Sequence, residues 1–256
     1  MKAKKSLGQN FLIDNNIINK INDSINATSE DLIIEIGPGM GALTKVLKSK
    51  NANVFCYEID TDMIPYLNKL IDSKTKVIYK DILTANIKED IKDIKYNRLF
   101  IVGNLPYYIT TSIIKFLINE NLSIYEMIFM VQEEVADRFT ATYGNKEYGS
   151  ITLFLKYHFN LEKLFRVSKN CFNPVPKVES AIIKFSERVE KLNVDKEKYF
   201  EIINESFKMK RKTLKNNLSK YDFNKVKEIL NKYNLPETVR AEELSEEIFV
   251  DITNAL

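Results

Sequence analysis

The chain of 256 residues contains two cysteines, one histidine, seven glycines and six prolines, and each scarcity excludes something. Cys56 and Cys171 are too few for a disulfide framework, and with a single histidine they offer no metal-ligand spacing, so no metal site is expected. Cys56 lies in the apolar run Val54-Phe55-Cys56-Tyr57 and reads as a small buried hydrophobe. His158, between Tyr157 and Phe159, reads as a structural histidine on a strand. So few glycines and prolines argue against long disordered linkers. No apolar stretch reaches the ~18 residues of a membrane helix, and the opening Met1-Lys2-Ala3-Lys4-Lys5 carries no apolar signal core. The expectation is a soluble cytoplasmic protein that engages no membrane.

The composition is globular, 45% hydrophobic and 29% charged, at a length that buries a sizeable core. A formal net charge of only +3 permits a nucleic-acid partner without demanding one, so the distribution of charge matters more than its sum. The positive excess lies before Glu187; from Glu187 onward the charges cancel, yet that part holds the dense basic stretch Lys208, Lys210, Arg211, Lys212 and Lys215.

Short β-branched runs at Leu32–Ile36, Asn53–Ile59, Lys76–Tyr79, Leu99–Val102 and Met127–Val131 alternate with helical spacing at Ala42–Ser49, Asp62–Ile71, Ser112–Ile118 and Glu133–Ala141. That alternation predicts an α/β fold with a mostly parallel, Rossmann-like sheet. Two further runs, Ile151–Phe159 and Val178–Phe185, are joined by too little chain for a helical crossover, which predicts an antiparallel edge. Beyond Phe185 only helical spacing is found, at Tyr199–Phe207, Lys212–Leu218, Lys225–Tyr233 and Glu246–Leu256. The expected division is residues 1–186 as the sheet domain and residues 187–256 as a small helical domain.

The residues that carry chemistry gather at predicted strand ends, where ligands of α/β sheets bind. Asn104-Leu105-Pro106-Tyr107 closes the strand that begins at Leu99, placing an amide that accepts an amine hydrogen beside a flat ring that stacks on a base. Glu35-Ile36-Gly37-Pro38-Gly39-Met40-Gly41-Ala42 is a glycine-rich turn between a strand and a helix, a place for close backbone approach to a polar ligand. Glu58 ends the second strand with Ile59 beside it, and a carboxylate there suits a ribose diol. Asp81-Ile82 ends the third strand. On these features alone, a nicotinamide-dependent oxidoreductase competes with a methyltransferase, because Gly37, Gly39 and Ala42 also fit the dinucleotide fingerprint.

Asn104–Tyr107 resembles the signature of methyltransferases acting on an exocyclic amine of a nucleobase, and Glu35–Gly41, Glu58–Asp60 and Asp81–Ile82 resemble successive motifs of class I S-adenosylmethionine-dependent methyltransferases. Nearly end to end, the chain resembles the bacterial ribosomal RNA adenine dimethyltransferases, in the small-subunit branch linked to kasugamycin sensitivity. The blocks are Lys5-Ser-Leu-Gly-Gln-Asn-Phe-Leu12, Glu35–Thr44, Asn104–Tyr107, Gln132–Arg138, Tyr148–Ser150, Phe172–Ser180, Lys212–Asn216 and Arg240–Ser245. The macrolide-resistance methyltransferases of large-subunit RNA share the fold and resemble this chain less; a mitochondrial transcription-factor branch shows the fold serving as a binding module.

The resemblance implies S-adenosylmethionine held by Asn10, Leu12, Gly37, Gly39, Gly41, Glu58, Ile59, Asp81, Ile82 and Asn104. It implies dimethylation at N6 of two adjacent adenosines near the 3′ end of small-subunit ribosomal RNA, on the immature subunit. Asn104 and the Leu105 carbonyl would accept the N6 hydrogens, Pro106 would fix the turn, and Tyr107 and Phe172 would sandwich the base. Lys4, Lys5 and the stretch Lys208–Lys215 would grip RNA. A monomer is expected.

Overall fold

The computed structural model describes Lys4 and residues 7–256. Lys5, an expected RNA contact, lies outside the described residues. The chain divides into two compact units, Met1–Ala136 with Glu162–Glu187, and Asp137–Leu161 with Arg188–Leu256. Asp137–Leu161, placed in the sheet domain by the sequence reading, thus groups with the C-terminal helices.

The first unit contains, in chain order, β1 (Phe11–Leu12), α1 (Asn15–Asp23), β2 (Leu32–Ile36), α2 (Ala42–Leu47), β3 (Asn53–Glu58), α3 (Ile64–Leu67), β4 (Thr75–Tyr79), α4 (Ile87–Ile91), β5 (Leu99–Asn104), α5 (Thr110–Asn119), β6 (Ile124–Gln132) and the first half of α6 (Glu133–Thr140). Most of β7 (Phe159–Val167), then β8 (Phe172–Asn173) and β9 (Ser180–Glu187), complete it. The main sheet runs β4-β3-β2-β5-β6-β9-β7. From β4 to β6 every pairing is parallel, and β9 is antiparallel to β6.

Leu32, Ile33 and Ile34 of β2 are fully buried, as expected of a strand covered on both faces. Each such side chain contributes about 1.5–3 kcal/mol by leaving water. From β2 the chain winds outward through β3 to β4, then returns to the other side of β2 as β5, with Ile36 opposite Gly103. The crevice at this reversal lies beyond the carboxyl ends of β2 and β5, so the next residues along each strand, Gly37 and Asn104, come together there.

In the second unit, α7 (Ser150–His158), α8 (Lys196–Ser206), α9 (Leu214–Asn217), α10 (Phe223–Lys232) and α11 (Glu246–Ala255) share a core that includes Tyr148, Leu153, Tyr199, Ile202, Leu230 and Phe249. Asp195, Thr213, Asp222 and Ser245 cap α8 to α11 by accepting backbone N–H groups.

The sequence reading errs at α7, where it expects a strand over Ile151–Phe159. Ile151, Leu153 and Leu155 alternate with a strand-like period, but the Thr152 hydroxyl donates to the Arg138 carbonyl at 2.7 Å and accepts the Gly149 N–H at 3.3 Å, which starts a helix. The strand begins only at Phe159, so His158 ends a helix. The helix expected over Asp62–Ile71 shrinks to a 3₁₀ turn and the four residues of α3. No helix among the described residues is long and apolar enough to cross a membrane.

Candidate active site

A cavity of about 310 Å³ opens at the strand reversal and is lined from the first unit alone. Asn10, Leu12, Gly37, Gly39, Glu58, Ile59, Asp81, Ile82, Asn104, Leu105, Pro106 and Tyr107 all line it. Gly41 does not: a Cβ there would lie 2.4 Å from a Leu70 methyl, so this glycine serves the packing of α2 and not the cavity wall.

The acids at the strand ends are held by backbone N–H groups. Glu58 is buried; its Oε2 accepts the Gly39 N–H at 2.9 Å and its Oε1 the Asp60 N–H at 2.8 Å. Burial raises its pKa, against the opposing pull of those N–H groups. The pair of bonds aims the carboxylate while leaving each oxygen further lone-pair capacity. Asp81 accepts the Leu83 N–H at 2.9 Å and so starts the turn that carries Ile82. Behind the glycine turn, Glu35 is fully buried and accepts from the Thr44 hydroxyl at 2.6 Å and from the Cys56 thiol at 3.7 Å. Burial pushes its carboxyl up to about 7 despite those donors.

The N-terminal arm crosses the cavity and is pinned at three places. Asp60 binds Lys4 Nζ at 2.5 Å and Gln9 Nε2 at 2.6 Å. Burial raises the Asp60 carboxyl, but Lys4, Gln9 and the Asp62 N–H outweigh it and hold the group below the usual carboxylate range. Farther along, the Asn10 carbonyl accepts the Asn104 side-chain N–H at 2.9 Å, and Phe11 and Leu12 pair with Asn173 and Phe172 as β1 and β8. The expected RNA contact Lys4 is therefore committed to Asp60 and Asp62. Sequence reasoning passed over Asp60, although it stands within the quoted Glu58-Ile59-Asp60 motif.

Asn104 ends β5 with its amide nitrogen on the Asn10 carbonyl, so its Oδ1 is the end left to act as an acceptor toward the cavity. Pro106 and the following residues form a turn closed by Ile109 N–H to the Pro106 carbonyl at 3.2 Å. Tyr107 is half-buried, and its hydroxyl lies 2.7 Å from that of the fully buried Ser180. Tyr108 is 64% exposed at the cavity rim.

Phe172 does not reach the cavity. It is 1% exposed and packs in the apolar cluster with Ile21, Val102, Met130 and Ile182. Pairing of β8 with β1 turns it inward, so the expected sandwich loses this half.

In the second unit Lys208, Lys210, Arg211 and Lys212 lie in the turn between α8 and α9 and Lys215 on α9, all exposed. Buried Asn217 braces the turn, donating to the Ser206 carbonyl at 2.8 Å and accepting the Met209 N–H at 3.2 Å. Lys208 and Lys215 pair with Glu205 and Glu237, and Lys210 donates to the Lys146 carbonyl. Among the described residues Arg211 and Lys212 have no ion pair. The described residues also hold no cluster able to bind a metal.

A family model described as ribosomal RNA adenine dimethylase matches residues 1–256. A ribosomal RNA small subunit methyltransferase A of Listeria monocytogenes is 43% identical over 224 residues, covering 84% of this chain and 76% of the relative. The protein of the same name from Bacillus mycoides is 40% identical, covering 99% of this chain and 91% of the relative. Among solved structures, a dimethyladenosine transferase from Plasmodium falciparum superposes with a TM-score of 0.79 at 24% identity, over 94% of this chain and 95% of that one. The 23S rRNA methyltransferase ErmE superposes with a TM-score of 0.77 at 26% identity, over 96% and 99%. The fold is that of the class I methyltransferases, with a mostly parallel sheet and an antiparallel edge. The chain belongs to the ribosomal RNA adenine dimethylase family, and it is an enzyme that methylates adenine in ribosomal RNA.

Proposed function

We propose that this protein transfers methyl groups from S-adenosylmethionine to N6 of two adjacent adenosines near the 3′ end of small-subunit ribosomal RNA. Each becomes N6,N6-dimethyladenosine. Small-subunit RNA, met as the immature subunit, is favoured by the relatives at 40–43% identity over a large-subunit target. We read the protein as a monomer acting in the cytoplasm, where such RNA would be met.

The residues present fit an adenosyl cofactor. Glu58, aimed by two backbone N–H groups, offers a carboxylate to a ribose diol, and Asp81 with Ile82 offers an acceptor and an apolar face to adenine. Gly37 leaves open the space beside the Asn104 backbone, where a Cβ would meet only that oxygen at 3.9 Å. Bound there, S-adenosylmethionine supplies an electrophilic methyl on a sulfonium.

The chain's own contribution is made at the amine. Adenine N6 is a weak nucleophile because its lone pair is delocalised into the ring. Asn104 Oδ1 accepts one N6 hydrogen and the Leu105 carbonyl the other, which favours a pyramidal nitrogen and stabilises the positive charge that develops on it. Tyr107 stacks on the extruded base, its ring set by the Ser180 hydroxyl. Asn104 is no base, so the N6 proton passes to water. Lys210, Arg211 and Lys212 contact RNA phosphates.

The observation that supports this reading best is the hydrogen bond from Asn104 Nδ2 to the Asn10 carbonyl, which occupies the nitrogen end of the amide and leaves its oxygen for a substrate amine. Asn104→Ala tests it: turnover falls about 10²- to 10³-fold while calorimetric affinity for S-adenosylmethionine changes little. Turnover near that of the unaltered enzyme would overturn the mechanism.

A further inference from the structure

Tyr107 and Tyr108 stand side by side on the turn after β5 and line the same cavity in different surroundings. Tyr107 is half-buried and tied to Ser180, whereas Tyr108 is 64% exposed while still lining the cavity mouth. Among the described residues that line the cavity, Tyr108 is the one exposed aromatic ring. The turn is held at both ends, by Leu105 N–H on the Met130 carbonyl at 3.2 Å and by the Thr110 hydroxyl on the Pro106 carbonyl at 3.1 Å.

The ring has a backing. Gly8 of the N-terminal arm lies against it, so that a Cβ on Gly8 would come within 3.3 Å of Tyr108 Cε1 and 3.7 Å of Pro106 Cβ. Gly8 sits at φ +63°, in the left-handed region that glycine adopts without strain. The lack of a side chain lets the ring rest on the arm. Its exposed surface is therefore a preorganised platform, and little conformational entropy is lost when something stacks on it.

We propose that Tyr108 is the stacking platform for the nucleotide adjacent to the adenosine in the cavity. This rests on the function proposed above. Extruding a target base leaves its neighbour with one face unstacked, and that loss opposes entry into the cavity. A flat ring at the cavity rim, one residue beyond the ring assigned to the target base, restores the missing stack. Because stacking tolerates any base, the site takes a purine or pyrimidine, on one side of the target.

The test uses the full-length protein, S-adenosylmethionine and short single-stranded RNAs with 2-aminopurine on either side of a target adenosine. The protein has no tryptophan, so the fluorescent base is read against a low background. The unaltered protein and Tyr108→Phe quench 2-aminopurine on one side of the target. Tyr108→Leu, a change at an exposed position, loses the quench and weakens RNA binding about 5- to 150-fold. On under-methylated small subunits it raises KM more than it lowers kcat. Quenching and RNA affinity unchanged in Tyr108→Leu would overturn the proposal and leave the ring as a cover for Gly8. Loss of cofactor affinity with RNA affinity intact would do the same, by assigning the ring to the arm. An unaltered protein that transfers no methyl to adenine N6 would withdraw the proposed function, and this inference with it.

Discussion

The side-chain nitrogen of Asn104 lies 2.9 Å from the backbone oxygen of Asn10, a residue 94 positions earlier in the chain. The arm that helps to wall the cavity thereby also orients the amide at the reacting end of it. Replacing Asn104 by Asp sets a carboxylate oxygen against that carbonyl, which has no proton to offer. Asn104→Asp is expected to lower kcat by at least about tenfold, since removing one well-aligned hydrogen bond to a developing charge costs about 10²–10³ in rate. Steady-state kinetics on small subunits check this. A kcat equal to that of the unaltered enzyme means that the Asn10 carbonyl does not orient the group.

Glu35 gives the fold a pH dependence of known sign. Its folded pKa of about 7 lies above its ordinary 4.5, so the native state binds the extra proton between those values. Stability from this group is thus full at low pH and is lost as pH rises through that window. Glu35→Gln removes the loss. The difference in unfolding free energy between Glu35→Gln and the unaltered protein should grow in the variant's favour from pH 4.5 to pH 7, by up to roughly 3 kcal/mol. Urea titrations across that range read it, and a difference independent of pH would contradict the burial argument.

His158 works in the opposite direction. Burial, with Lys196 nearby, lowers its pKa from 6.5 to about 4, and its Nε2 is buried without a partner among Phe154, Tyr157 and Phe200. The unfolded chain takes the proton first, so stability is lost as pH falls from 6.5 toward 4. His158→Phe keeps the ring and drops the titration. It should gain on the unaltered protein by roughly 1–2 kcal/mol between pH 7.5 and pH 5. Thermal unfolding at the two pH values is enough, and an equal melting difference at both would rule out the assignment.

The basic turn makes a claim about salt. Replacing Lys210, Arg211 and Lys212 by Ala should weaken RNA binding and reduce the slope of log affinity against log salt by roughly 2–3. Affinity for S-adenosylmethionine should stay the same. An unaltered slope would assign these side chains to solvent.

The sheet and its strand-end acids were readable because their signals are local: short strand-like runs stop at Gly37, Glu58, Asp81 and Asn104, and each stop lines the cavity. What escaped the sequence depends on distant partners. Gln9 meets Asp60 across 51 positions, and nothing near either residue announces it. Phe172, followed by Asn-Pro-Val-Pro, shows no local packing reason for an aromatic and so reads as a ring for the base, yet β1 pairs with β8 and turns it into the core. At α7 the apolar residues satisfy both strand and helix periods, and the Thr152 bonds to Gly149 and Arg138 decide for the helix. Tyr107 and Tyr108 look alike in sequence, and only the distant Ser180, bonded to Tyr107, separates them.

The most direct measurement of the central claim is label transfer followed by nucleoside analysis. The protein is incubated with methyl-labelled S-adenosylmethionine and, separately, under-methylated small ribosomal subunits and protein-free large-subunit RNA. The account predicts labelled N6,N6-dimethyladenosine at two adjacent positions in the small-subunit RNA alone. Label only in the large-subunit RNA, or none in either with cofactor binding intact, would contradict it.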